Sequence, residues 1–219
     1  MLTTIKKRSR AYAGLRPAEC ERAGQTARLI KTAFTPWCHA MAGIHTAARL
    51  SRPLLRVIQS DTCNVPGHRS AADGDLQLLK GFEFNETRYA PAVRGVCCRL
   101  LRSDQCDQVL VKTDGFMADV FWDRQVERAT HYQVALVVAA VPLKPGERSR
   151  LYTAATESLL DSQRAVPPLQ VPVDLVVDTT PVLYCAALAV SYYRWGNILS
   201  YPYQDGRQDL LTILRAFSA

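Results

Sequence analysis

The residues in this chain best suited to chemistry do not combine into a recognisable site. Cys38, His39, His45, Cys63 and His68 are soft or borderline metal ligands within about thirty residues of one another. Structural zinc uses close pairs such as C-x2-C, whereas Cys38 and Cys63 stand alone, so these residues read as packing and surface positions. Cys97 and Cys98 are adjacent and would point to opposite faces of a strand, which suits neither a metal clamp nor thiol exchange. His131 with Asp123 and Glu127 could be written as an acid–base set, but nothing in their spacing is specific to catalysis. There is no G-x-S-x-G elbow, no phosphate loop, no G-x-G-x-x-G and no H-E-x-x-H. No catalytic, cofactor-binding or metal-binding residue is assigned on this basis, and no cofactor is expected.

Charge carries the clearest functional signal. The net charge is +7, and the first sixty residues hold most of the imbalance, with acids only at Glu19 and Glu21. The basic residues Lys6, Lys7, Arg8 and Arg10 lead the chain, and Arg49, Arg52 and Arg56 fall on one side of a helical wheel opposite Leu50, Leu54, Val57 and Ile58. These seven are the candidate contacts for an acidic partner or for nucleic acid. Phosphate binding needs such a stripe, but no helix-turn-helix, zinc-finger or RNA-binding signature accompanies it. Tyr192, Tyr193, Trp195, Tyr201 and Tyr203 cluster near the C-terminus, where cross-strand packing is the plainer role and a recognition platform the alternative.

These side chains need elements to position them. Ala23, Ala27, Ile30 and Phe34 recur at helical spacing between Glu19 and Phe34, and Thr35-Pro36 ends the pattern. A second helix spans Thr46 to Ser60, with Pro53 favouring a start late in that stretch. Turn formers from Asn64 to Asp75 mark a boundary, after which the period switches to two. Leu76, Leu78, Lys80, Phe82 and Phe84 alternate, and strand-like runs follow at 92–101 and 108–112. Ala129 to Val141 is apolar on both faces after Gln133 and predicts a central strand ended by Pro142. Pro167, Pro168 and Pro172 restrict Leu169 to Val177 to an edge strand or extended loop. Val182 to Tyr193 is a long β-prone run, and Trp195-Gly196-Asn197 and Asp205-Gly206 predict hairpins that close the chain as a meander.

Composition bounds the class. With 48% hydrophobic and 21% charged residues, the chain is expected to be globular rather than disordered or fibrous. The run Val134 to Val141 is far short of the roughly 18–20 apolar residues a membrane-spanning helix needs. The stretch after the leading basic residues is too short for a signal-peptide core. Seven cysteines, an odd number at irregular spacing, point to a reducing, cytoplasmic setting. Cys98 and Cys106 flank a turn-rich stretch and could face each other across a hairpin, a geometry the sequence leaves open.

Ser51-Arg52-Pro53-Leu54-Leu55-Arg56-Val57-Ile58-Gln59-Ser60-Asp61, Gly67-His68-Arg69 and Leu78-Leu79-Lys80-Gly81-Phe82-Glu83-Phe84-Asn85 together resemble an uncharacterised bacterial family, seen mainly in Bacteroidota, with G-F-E-F-N as its distinctive motif. The similarity continues through Ala129-Thr130-His131-Tyr132, Leu188 to Tyr193, Tyr201 to Gly206 and Leu211 to Leu214, about two thirds of the chain. The front departs from that family's pattern at Glu19 to Gly24. The resemblance implies shared architecture and brings no activity, cofactor or site residue with it.

The sequence therefore predicts an α+β protein: a basic helical region over 1–70, then an antiparallel β-sandwich-like domain over 71–219. The expected function is a non-enzymatic structural or interaction protein whose basic helices dock a protein partner or a neighbouring subunit. A nucleic-acid-binding protein and a small-molecule enzyme without a recognisable motif are the alternatives.

Overall fold

The computed structural model describes residues 2–38, 43, 45–87, 93, 95–102, 107–121, 126, 128–144, 146–161, 163–175, 180–196 and 199–218, with side chains described from residue 17 onward apart from 205 and 206. Three helices come first: α1 (Leu2–Ala33), the single turn α2 (Thr35–Cys38) and α3 (Thr46–Ser60). The expected first helix is present and extends well before Glu19. In α3, Pro53 is interior, so the late start predicted from it is corrected. An interior proline costs about 3 kcal/mol. Starting at Pro53 would release Leu50, which is fully buried, at a cost of roughly 1.5–3 kcal/mol, and would also undo the first turn, where Thr46 bonds to Gly43 and Glu86.

The remainder is antiparallel β structure. Its strands are β1 (Cys98–Arg102), β2 (Gln108–Thr113), β3 (His131–Pro142), β4 (Arg150–Ala155), β5 (Leu160–Asp161), β6 (Gln170–Asp174), β7 (Val182–Trp195), β8 (Ser200–Pro202) and β9 (Leu210–Ser218). A three-stranded sheet has the order β1-β2-β6, and a six-stranded sheet is built on the β3–β7 pair. On one side of that pair β4 and β5 both bond to β3, and β8 and β9 both bond to β7. Each flank is thus one strand broken in the middle. Such interruption blunts a sheet edge against pairing with other chains.

The central strands are buried on both faces because each face meets a different layer. Tyr132, Val134, Leu136, Val138 and Ala140 of β3 join Val109, Val111, Val171 and Val173 of the small sheet in one core. Ala135, Val137, Ala139 and Val141 join Ile30, Phe34, Leu50 and Leu54 of the helices in the other. The helices therefore pack on the sheet, in the layer order helices, large sheet, small sheet. A bulge opposite Ala186 and Ala187 flips the alternation of β9, so Ile213 faces the helices, Leu214 the other core, and Ala216 the helices again.

Two local expectations are corrected. The alternating stretch Leu76–Phe84 is not a strand: Leu76–Leu79 is a 3-10 turn opened by Asp75, whose side chain accepts from the Gln77 N–H. The chain then turns at Gly81, with φ of 83°, and runs along β9 through Phe82 and Phe84 backbone bonds. Burial of Leu76, Leu79 and Phe84 follows the turn, leaving Leu78 and Lys80 in solvent. The final hairpin and meander are likewise absent. Asp205-Gly206 lies in a 3-10 turn, Tyr203–Gly206, that interrupts the flanking strand. Asn85 donates to the Arg207 and Asp209 carbonyls while the Asp209 carboxylate accepts from the Tyr192 N–H, anchoring this segment to β7 rather than to β8. The hairpin at Trp195-Gly196 does form, closing β7 onto β8, with Asn197 outside the described residues.

Candidate binding surface and cleft

The arginines of the front third divide by what they touch. Arg22, Arg49 and Arg69 each donate to a backbone carbonyl, of Gly67, Glu83 and Gln59 respectively. Arg49 also lies over the Phe82 ring, 5.4 Å from its centre. These charges are structural anchors. Arg52 and Arg56, by contrast, are exposed on the outer side of α3 and make no hydrogen bond or ion pair among the described residues. Two like charges four residues apart repel by about 0.2–0.5 kcal/mol on a helix, so this pair weakens the element that carries it. Lys6, Lys7, Arg8 and Arg10 fall in α1, with side chains outside the described residues.

Beside this face the loop after α3 is built around one carboxylate. Asp61 is fully buried, and its oxygens accept from the N–H groups of Cys63 (2.8 Å), Asn64 (3.0 Å) and Ser70 (2.9 Å) and from the Asn64 side chain (2.9 Å). Burial pushes its carboxyl up, but the bonds from Asn64, Ser70 and Cys63 outweigh burial and hold it down at about 2. The same loop is gripped by α1. Glu19 accepts from the Gly67 N–H at 2.9 Å while Arg22 donates to the Gly67 carbonyl. Gly67 has a φ of 93°, a conformation that suits glycine at this buried crossing.

Arg22 of this clamp also lines a cleft of about 860 Å³ between α1, the loop and the end of the large sheet. Its polar lining includes Arg22, Thr26, Arg28, Ser70, Lys144 and Thr180. Leu29, Ile58, Ala71, Leu143 and Pro181 supply an apolar floor. None of the described lining residues is a carboxylate. Glu147 stands just outside, 3.5 Å from Lys144 and 3.1 Å from the Thr180 hydroxyl.

The other sequence candidates separate. Cys38 is buried, Cys63 and His68 are exposed, and His39 lies outside the described residues. Among the described residues no group of three or more His, Cys, Asp or Glu could hold a metal. Burial, with Glu83 nearby, pushes the Cys38 thiol up to about 12 despite Lys31. The His131 ring lies tilted against Trp195, with ring centres 5.2 Å apart, and Asp123 and Glu127 lie outside the described residues, as does Cys106 of the possible bridge to Cys98. Tyr192 is buried and donates to the Phe121 carbonyl at 2.9 Å, and Tyr203 is also buried, whereas Trp195 and Tyr201 are each 53% exposed. The cleft residues Arg22, Arg28 and Lys144 were not singled out by sequence reasoning. Their only trace there was a loop rich in turn formers, whose partners across the fold no local pattern encodes.

Comparison with protein-family models, with curated proteins and with solved structures finds no match. Among the described residues no helix is long and apolar enough to cross a membrane.

Proposed function

We propose that this protein is a non-enzymatic interaction module whose helical layer docks an acidic protein surface. The observation that supports the reading is the exposed pair Arg52 and Arg56, left without partners among the described residues when Arg22, Arg49 and Arg69 are committed to carbonyls. The apolar side of α3 is already buried in the core that it shares with α1 and the large sheet, so the contact it offers is electrostatic. Such surfaces steer association and set specificity. An acidic protein fits better than nucleic acid because the exposed aromatics Trp195 and Tyr201 sit on the β7–β8 hairpin rather than among these arginines, so among the described residues no stacking platform accompanies the charge.

Fluorescence anisotropy of labelled poly-glutamate and of labelled single-stranded DNA, titrated with the full chain in about 50 mM salt, tests this. The expected result is saturable binding of the acidic peptide that weakens at least about tenfold in Arg52→Glu/Arg56→Glu. DNA binding tighter than peptide binding, with a steep salt slope, would replace this reading with the nucleic-acid one. No binding of either probe at low salt removes both.

A further inference from the structure

The cleft between α1, the loop after α3 and the end of the large sheet is separate from Arg52 and Arg56, neither of which lines it. Its volume of about 860 Å³ lies within the range of small-molecule sites. Arg28 is exposed and has no hydrogen-bond or ion-pair partner among the described residues, and Arg22 lines the cleft while the end of its side chain holds Gly67. An exposed, unpaired guanidinium beside a lysine takes an anionic group as its best acceptor. Leu29, Ile58, Leu143 and Pro181 offer nothing to a headgroup but cover an apolar body. We propose that this cleft binds a small organic anion, one acidic headgroup on an apolar body, with Arg22, Arg28 and Lys144 facing the charge and the floor taking the hydrocarbon.

Lys144 is shared with Glu147 at the rim, so a headgroup competes there with a carboxylate that is itself solvated. Arg28 has no such competitor among the described residues. The clamp fixes the loop that brings Ser70 and Ala71 to the lining: Gly67 is held through both its N–H and its carbonyl by two side chains one helical turn apart on α1.

The full chain is titrated with anilinonaphthalene sulfonate, an aryl anion that brightens in apolar surroundings, and in parallel with its uncharged relative N-phenylnaphthylamine. The expected result is one saturable site for the anion, displaced by decanoate, with the neutral probe bound at least about tenfold more weakly. Arg28→Gln/Lys144→Gln should raise the anion Kd about tenfold or more with an unchanged circular dichroism spectrum, because both side chains are exposed. Arg207→Gln, exposed and outside the cleft, should leave it unchanged. Equal binding of the neutral probe overturns the proposal. So does a Kd indifferent to Arg28→Gln/Lys144→Gln, or a signal abolished instead by Trp195→Ala on the exposed hairpin.

Discussion

Replacing Asp61 by Asn isolates what one buried carboxylate does for the loop that walls the cleft. The native side chain accepts four bonds between 2.8 and 3.0 Å, two on each oxygen. An amide keeps one accepting oxygen and turns an N–H toward donors on the other side, so two charge-assisted bonds are lost and two become neutral. At about 1.5 kcal/mol for each bond lost, the cost is about 3 kcal/mol. For a chain of this size that lowers Tm by roughly 6–12 °C. The carboxyl is held near 2 in the folded protein against an ordinary value of 3.8, so the folded state binds fewer protons than the unfolded one. The stabilisation is therefore complete above about pH 5 and is lost as pH falls through the carboxylate range towards 2. Urea melts of wild type and Asp61→Asn at pH 7 and pH 3 read both effects: the gap in stability should shrink by about a third, roughly 1 kcal/mol, at pH 3. A gap below about 0.5 kcal/mol at pH 7, or one of equal size at both pH values, would refute the assignment of Asp61 as an ionised hub.

Two further perturbations probe the layers and the thiols. Ala187 is fully buried on the helix-facing side of β7, so Ala187→Leu should cost about 1–3 kcal/mol in a urea melt, while Ala155→Leu on exposed β4 should be nearly neutral. Burial pushes Cys185 to about 12, as at Cys38, so iodoacetamide at pH 8 followed by mass spectrometry should modify exposed Cys20, Cys63 and Cys97 in minutes and spare Cys38 and Cys185 until the chain is denatured.

The comparison between sequence and structure turns on how far each residue's partner lies along the chain. Strand β3 was legible because its signal is local and redundant: consecutive apolar residues can be satisfied only between two layers, wherever those layers come from. The β6 edge position followed from Pro172, which cannot donate to a ladder. The stretch Leu76–Phe84 misled because its alternation is equally compatible with a turn once Asp75 caps it and Gly81 reverses it, and contact with β9, more than a hundred residues away, made that choice. The same distance hid the end of the chain, where Asn85 and Tyr192 hold the segment in which Asp205-Gly206 would otherwise have closed a hairpin.

By itself the sequence determined the class of structure, the basic front and the amphipathic α3, because periodicity and charge are properties of neighbouring residues. Only the tertiary structure decided which arginines are spent on carbonyls and which face water, since Arg49 and Arg52 look alike until Glu83 and Phe82 arrive beside one of them. It alone made the cleft, whose walls come from α1, the loop after α3 and the far end of the large sheet. A concave site assembled from distant segments has no local period, so packing rather than pattern brings its cations together.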